Sequence, residues 1–337
     1  MKIFLFAATL FLAQMNAIAA SALPTDSVFA ATSFWYKPIP ANAPLNTKSA
    51  QFSAEFLRQM KKYYGHVGVN TTSYASPVYY VNDTHPKVKV TEWDCGGKGF
   101  LDGGLKSQWA LLPMPKYARQ ANGTDAEMTI YDRSSNRIWE FWKARKVNGA
   151  WQACWGGRML EASRTDGRWF TYYGATATGL PFLGGQVTAE ELQRGEIRHV
   201  IGIGLPNSEK GGSKSGFSWP AKRSDGRNQD NVVNPIPQGA RFRLDPSINV
   251  DALKMHPVAR TIAKAAQKYG FVVWDTGGAA GIRMQNPLGY IAAGQGNPYT
   301  ALFNGTPSYE LLKGIPWDKL QFMPRDYGKP PVQGITP

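Results

Sequence analysis

Glu140 stands in the stretch Arg137-Ile-Trp-Glu-Phe-Trp142, whose residues alternate as a strand would. With a period of two, Ile138, Glu140 and Trp142 share one face and Trp139 and Phe141 the other. A carboxylate beside a flat indole suits a sugar. The C–H face of the ring stacks on the aromatic surface, and the carboxylate binds hydroxyls or moves a proton. Upstream, Gly123-Thr-Asp-Ala-Glu127 puts Asp125 and Glu127 on a common face. One of them with Glu140 would make the two-carboxyl pair that glycosidic cleavage uses, and Asp125 is the expected partner. The plainer alternatives are a surface ion pair for Glu140, a turn cap for Asp125 and a solvated Glu127.

Three further groups could join such a site. In Glu196-Ile-Arg-His-Val-Ile-Gly-Ile-Gly-Leu205, His199 alternates with Ile197, Ile201 and Ile203. It is either a buried imidazole held by a carbonyl or carboxylate, or a proton carrier if the strand bends at Gly202 and Gly204. Arg241 and Arg243 share a face of Ala240-Arg-Phe-Arg-Leu244, and two guanidinium groups along a groove suit carboxylate or sulfate. Asp275 ends Phe271-Val-Val-Trp-Asp275 before Gly277-Gly278, where it would bind substrate or cap a turn. With Trp142, these arginines and Asp275 form the expected substrate-binding set. The chain carries no G-x-S-x-G elbow, no H-E-x-x-H, no phosphate-binding loop and no dinucleotide fingerprint, and its four histidines have no paired ligand spacing. No cofactor is expected. A structural Ca²⁺ is common in β-sandwiches, but no Asp-rich loop here demands one.

These residues need strands to position them. Strand-like runs occupy 76–81, 87–93, 109–114, 127–132, 137–147 and 150–155, separated by Asn-Gly, Asn-Asp and Gly-Gly turn signals. Asn148-Gly149 marks a type I′ hairpin between two of them. Helical spacing covers 49–64 and 251–269, each closed by glycine. Thr188-Ala-Glu-Glu191 is a capping box opening a short helix, and another short helix is expected near 308–313. The predicted fold is mainly β, an antiparallel β-sandwich or jelly roll with two or three peripheral helices. The predicted organisation is a signal peptide over 1–20, an extended segment over 21–48 and one β-rich domain over 49–337.

Composition agrees with export. Met1 to Ala20 has one lysine, a short apolar run and the small-x-small site Ala17-Ile-Ala19, so a periplasmic or extracellular destination is expected, with no membrane span. Cys95 and Cys154 are the only cysteines, and in an oxidising compartment they are expected to pair. The formal net charge of +14 is dispersed. Export argues against nucleic acid, and the positive balance suits an anionic polysaccharide or a negative cell surface.

The segments GTDAEM, IWEFW, GATATGLPFLGG, EIRHV, SWPAKRSDG, ARFRLDP and YGFVVWDTGG form a series over roughly residues 70–320. This series resembles a family of exported bacterial proteins. The chain departs from that pattern with Val200-Ile201 where Ala-Leu usually follows the histidine. The resemblance implies an exported β-rich fold and draws attention to Glu140, His199, Arg243 and Asp275; it implies no reaction. The expectation is therefore an exported carbohydrate-active enzyme with a Trp-lined groove. It would be a glycoside hydrolase with Glu140 and Asp125, assisted by His199, or a lyase on a uronic acid polymer. The alternative is a non-catalytic glycan- or cell-wall-binding protein.

Overall fold

The computed structural model describes residues 27–331, so the predicted signal peptide lies outside the described residues. A six-stranded sheet has the order Gly68–Asn70, Gly281–Arg283, Ile201–Leu205, Phe271–Thr276, Arg241–Leu244 and Leu320–Phe322. A four-stranded sheet has the order Trp155–Met159, Arg137–Trp142, Met128–Asp132 and Val78–Val81. Two smaller sheets flank the latter, one of them containing the hairpin Arg145–Val147 and Ala150–Ala153. Asn148 and Gly149 both have positive φ, as the type I′ turn requires.

The six-stranded sheet is covered on one face by the helices Ser49–Lys62 and Pro257–Lys268. Phe56, Val258 and Ile262 pack there with Ile203, Phe242 and Val273. The helix Pro257–Lys268 starts well because proline occupies its first turn and the His256 ring accepts a hydrogen bond from the Val258 amide. The opposite face meets the four-stranded sheet. Val272 and Trp274 share that core with Ile138, Met159, Trp169 and Phe182. The outer face of the four-stranded sheet buries Trp109, Trp139 and Phe141 in a third cluster. Alternation along Arg137–Trp142 thus does what its pattern demands, with Trp139 and Phe141 on one side and Ile138 and Glu140 on the other.

Trp274 explains the glycines of Ile201–Leu205. A β-carbon on Gly202 would lie 2.3 Å from the indole, and one on Gly185 would lie 2.6 Å from it. Both glycines therefore give the ring its slot, with the helix Phe182–Gly185 above and the sheet below. Burying an indole of roughly 200 Å² stabilises by about 5 kcal/mol at 25 cal/mol per Å².

Several expectations need correction. The sheets are open and mixed, not all antiparallel. Ile201–Leu205 pairs in parallel with Phe271–Thr276, Gly68–Asn70 with Gly281–Arg283, and Val78–Val81 with Met128–Asp132. A parallel pair needs a long crossover, and the stretch between Leu205 and Phe271 supplies one that includes a helix. The described part of the extended N-terminal segment is not simply draped over the surface. Trp35 is fully buried between the sheets and its Nε1 donates to the Gly167 carbonyl at 2.8 Å. Residues 308–313 form turns, and the strand Gly281–Arg283 was not anticipated. Cys95 and Cys154 do form a disulfide, with Cα atoms 5.5 Å apart. It closes a 59-residue separation, worth about 4 kcal/mol on the chain-entropy model. No helix of the described residues is long and apolar enough to cross a membrane.

The Gly202 slot is testable. Gly202→Ala should lower stability in urea unfolding by about 1–3 kcal/mol, the usual cost of overpacking. Gly103→Ala, where an added β-carbon meets nothing within 4 Å, should stay within about 0.5 kcal/mol of the parent. Equal stabilities would mean that the indole is not held between the two glycines.

Candidate active-site cleft

Where the two sheets part, a cleft of about 650 Å³ opens between Trp142, Trp155 and Tyr172 on one side and Asp275, Thr276 and Arg223 on the other. Asp125 and Glu127 also line it. A second cavity of about 450 Å³, floored by glycines of the loop 277–281 and bordered by Tyr64 and Tyr74, shares Asp125 and Thr276 with the first. Asp125 therefore stands where the two cavities meet.

Arg283 is the centre of this arrangement. It projects from Gly281–Arg283 toward the four-stranded sheet and is 4% exposed. Its Nη2 donates to Asp275 Oδ2 at 2.7 Å and its Nη1 to Glu127 Oε1 at 3.3 Å. The guanidinium also sits 5.3 Å from the Phe182 ring centroid and 5.8 Å from that of Trp274. Burial opposes its charge, but Asp275 and Glu127 outweigh burial and hold its pKa above the usual arginine value.

Asp275 reaches Arg283 because of a β-bulge. Ile203 pairs with Val273 but Gly204 pairs with Asp275, which leaves Trp274 as the extra residue. Simple alternation would send Asp275 to the same side as Val273. The bulge re-aims it into the cleft. Its Oδ1 accepts from the Ala177 and Thr276 amides, both at 3.1 Å. Burial raises its pKa to about 6 against the pull of Arg283.

Glu127 precedes Met128–Asp132 and is 1% exposed. Its Oε2 is buried with no hydrogen-bond partner. Burial raises the carboxyl pKa to about 7, with Arg283 opposing. A half-protonated carboxyl near neutrality, with one oxygen unclaimed on the floor of a cleft, is suited to donate a proton. Asp125, two residues earlier, is partly exposed, and its Oδ1 accepts from Trp142 Nε1 at 3.0 Å. One hydrogen bond thus fixes both the carboxylate and the indole.

The walls are built by buried polar contacts. Arg223 donates to the carbonyls of Gly174, Thr176 and Ala177 at 2.7–3.0 Å, which shapes the Gly174–Gly179 loop beside Asp275. Burial lowers its pKa to about 10. Asp225 accepts from Thr276 Oγ1 and Gln238 Nε2, both at 2.6 Å. Trp155 stacks on Tyr172 and Tyr173, and both tyrosine hydroxyls donate to Asp102. The disulfide partner Cys154 adjoins Trp155. The Cys95 loop carries Lys98 to within 5.7 Å of the Trp155 ring.

Asp125, Trp142 and Asp275 thus come together as the sequence suggests, and Glu127 replaces Glu140 as the acid beside them. Glu140 is wholly buried against Phe182 and Leu183 and does not line the cleft. Its Oε1 accepts weakly from the Leu183 amide at 3.4 Å, and burial raises its pKa to about 8. The same strand face that sends Trp142 to the rim carries Glu140 inward beneath the helix Phe182–Gly185. His199 does not open onto the cleft either. Its Nδ1 lies 2.8 Å from the Val200 carbonyl and its Nε2 3.0 Å from Glu191 Oε1. Glu191 also closes the capping box with Thr188, so the ring ties the helix Ala189–Arg194 to the following chain. Arg241 donates to the Tyr269 carbonyl, and Arg243 to the carbonyls of Pro40 and Ala41 and to Gln321. Both are buried anchors for the strand edge and the N-terminal segment.

Arg223 and Arg283 escaped the residue-level reading. Arg283 had one signal, the alternation Gly281-Ile-Arg-Met284 after a double glycine, which is a strand pattern with an arginine on one face. Among the described residues, no group of three or more His, Cys, Asp or Glu side chains is placed to hold a metal ion. No family model, curated protein or solved structure matches the chain.

The buried acids carry a pH signature. Glu127 and Glu140 have folded pKa values raised above the ordinary 4.5. The unfolded chain therefore binds fewer protons between these limits, and stability falls as pH rises. The contribution is complete below about pH 4.5 and is lost through about 7 and 8. Urea unfolding at pH 5 and 8.5 should give lower stability at the higher pH, and Glu140→Gln should flatten that fall. Parallel curves for parent and variant would assign the pH dependence elsewhere.

Proposed function

We propose that the cleft hydrolyses a glycosidic bond of a polysaccharide, in a protein exported from the cytoplasm. The observation that carries this reading is the carboxyl of Glu127 in the cleft lining beside Asp125, with its Oε2 free of any hydrogen-bond partner, under an aromatic wall. Glu127 would donate its proton to the leaving glycosidic oxygen. Asp125 would activate water or attack the anomeric carbon from the other side. Trp142, Trp155 and Tyr172 would hold sugar rings by their faces. Arg283 would orient Glu127 and, through Asp275, keep it fixed to the other sheet. A cleft continuing past the acids into the glycine-floored cavity favours a chain cut internally over a chain trimmed from its end. The segments GTDAEM, GATATG, KRSDG and VVWDTGG, part of the series that resembles an exported family, all contribute to its walls.

Elimination on a uronate has less support. Arg241, Arg243 and His199 are occupied elsewhere, and Arg223 already serves three carbonyls.

Reducing-end release should be measured over neutral and acidic polysaccharides. Glu127→Gln should lower kcat on the responsive glycan about 100-fold or more, with binding retained. Trp142→Ala should mainly raise KM, and Glu140→Gln should leave kcat within a few-fold. Turnover should decline as pH rises through about 7, where Glu127 loses its proton. Full turnover in Glu127→Gln would overturn the assignment. Binding without turnover on every glycan would favour a binding module, and a near-ultraviolet-absorbing unsaturated product a lyase.

A further inference from the structure

A separate cavity of about 670 Å³ lies beyond the Tyr172–Tyr173 pair. Tyr172 lines the cleft and Tyr173 lines this second space, with ring centroids 4.7 Å apart. Three cationic side chains, Arg158, Arg168 and Lys222, border it, with Asp166 as the acid among them. Asp166 is already taken, because Arg168 Nε and Nη2 both meet its Oδ2 at 2.6–2.7 Å. Lys222 donates to the Trp169 carbonyl at 2.5 Å and has no carboxylate partner. The Arg158 guanidinium has neither an ion pair nor a hydrogen bond to any described residue. Burial, then the charge of Arg137, disfavours its protonated form. At the rim stands Phe170, 77% exposed.

We infer that this cavity is a second carbohydrate site, taking an acidic sugar whose carboxylate or sulfate meets Arg158 and Lys222 while its ring lies on Phe170. Two partly buried cations with no carboxylate in salt-bridge reach among the described residues are costly, and a bound anion lowers that cost. A compact sulfate or carboxylate fits between a guanidinium and an ammonium. An exposed phenyl beside the cations adds a surface that an inorganic anion does not use, and that a sugar ring does. The net charge of +14 draws an acidic polymer toward the surface on which this cavity opens. The site needs no catalysis in the neighbouring cleft, so it stands or falls independently of the hydrolase reading.

Calorimetric titration with a hexamer of galacturonate, a hexamer of neutral β-glucan and inorganic sulfate tests this. The acidic hexamer should bind the parent and the neutral one should bind far more weakly. Arg158→Gln with Lys222→Gln should weaken acidic binding at least 10-fold. Arg158→Lys should retain most of it, which separates charge loss from misfolding, and Phe170→Ala should weaken it several-fold. Raising salt from about 50 to 300 mM should weaken it as well. Lys146→Gln, which removes an exposed positive charge that lines neither cavity, should leave this affinity unchanged. Parent-like binding by the double glutamine variant would overturn the site, as would an equal loss of binding in Lys146→Gln. Sulfate competing mole for mole, with no effect of Phe170→Ala, would overturn the assignment to a sugar.

Discussion

One buried guanidinium holds the two halves of the inter-sheet space together. Arg283 and Asp275 come from the six-stranded sheet, on strands separated by Ile201–Leu205, and Glu127 from the entrance to the four-stranded sheet. A charge this enclosed is tolerable only with partners, and removing Asp275 would take away its closer one, at 2.7 Å. The constraint is mutual. Glu127 stays near the Arg283 side of the cleft, and Asp275 is turned inward by a bulge that also frees Trp274 to pack against Gly185 and Gly202. The aromatic rings flanking the guanidinium, Phe182 and Trp274, belong to the same packing unit. Packing and electrostatics therefore converge on one residue.

Two buried glutamates show how environment separates chemically identical groups. Glu127 and Glu140 are both enclosed, and both have raised pKa values because burial penalises the carboxylate. Glu127 faces the Arg283 cation and lines the cleft. Glu140 faces amides of a short helix and indole rings, with no route into the cleft. The first is placed for proton transfer, and the second is an internal acid whose protonation state bears on stability. Identity and pKa alone do not separate them; Glu127 lines the cleft and Glu140 does not.

Much of the framework was legible in the residues. The helices expected over 49–64 and 251–269 form as Ser49–Lys62 and Pro257–Lys268, and the capping box at Thr188 and the Asn148-Gly149 turn follow from local patterns; the disulfide was expected from the pair of cysteines alone, and its closure over 59 residues is tertiary. Asp125, Trp142 and Asp275 were each named as candidates, but that they line one cleft is a tertiary fact. The roles of His199, Arg241 and Arg243 were not. Each makes contacts to residues far along the chain or to backbone carbonyls, such as Arg243 to Pro40 and Ala41, and a side chain's distant partner leaves no mark in spacing. The parallel pairings were hidden for the same reason, since alternation reports a face and not a neighbour.

By itself the sequence determined the alternation that splits Trp139 and Phe141 from Glu140 and Trp142, the positions of the main helices and the cysteines available to pair. These follow from covalent geometry and local hydrogen bonding, which act over a few residues. Only the tertiary structure decided which acid meets the cleft. Glu140 and Trp142 lie on one strand face, yet the helix Phe182–Gly185 covers the first and leaves the second at the rim. Whether a carboxyl is sealed or open depends on what packs above it, and that comes from a segment more than forty residues away.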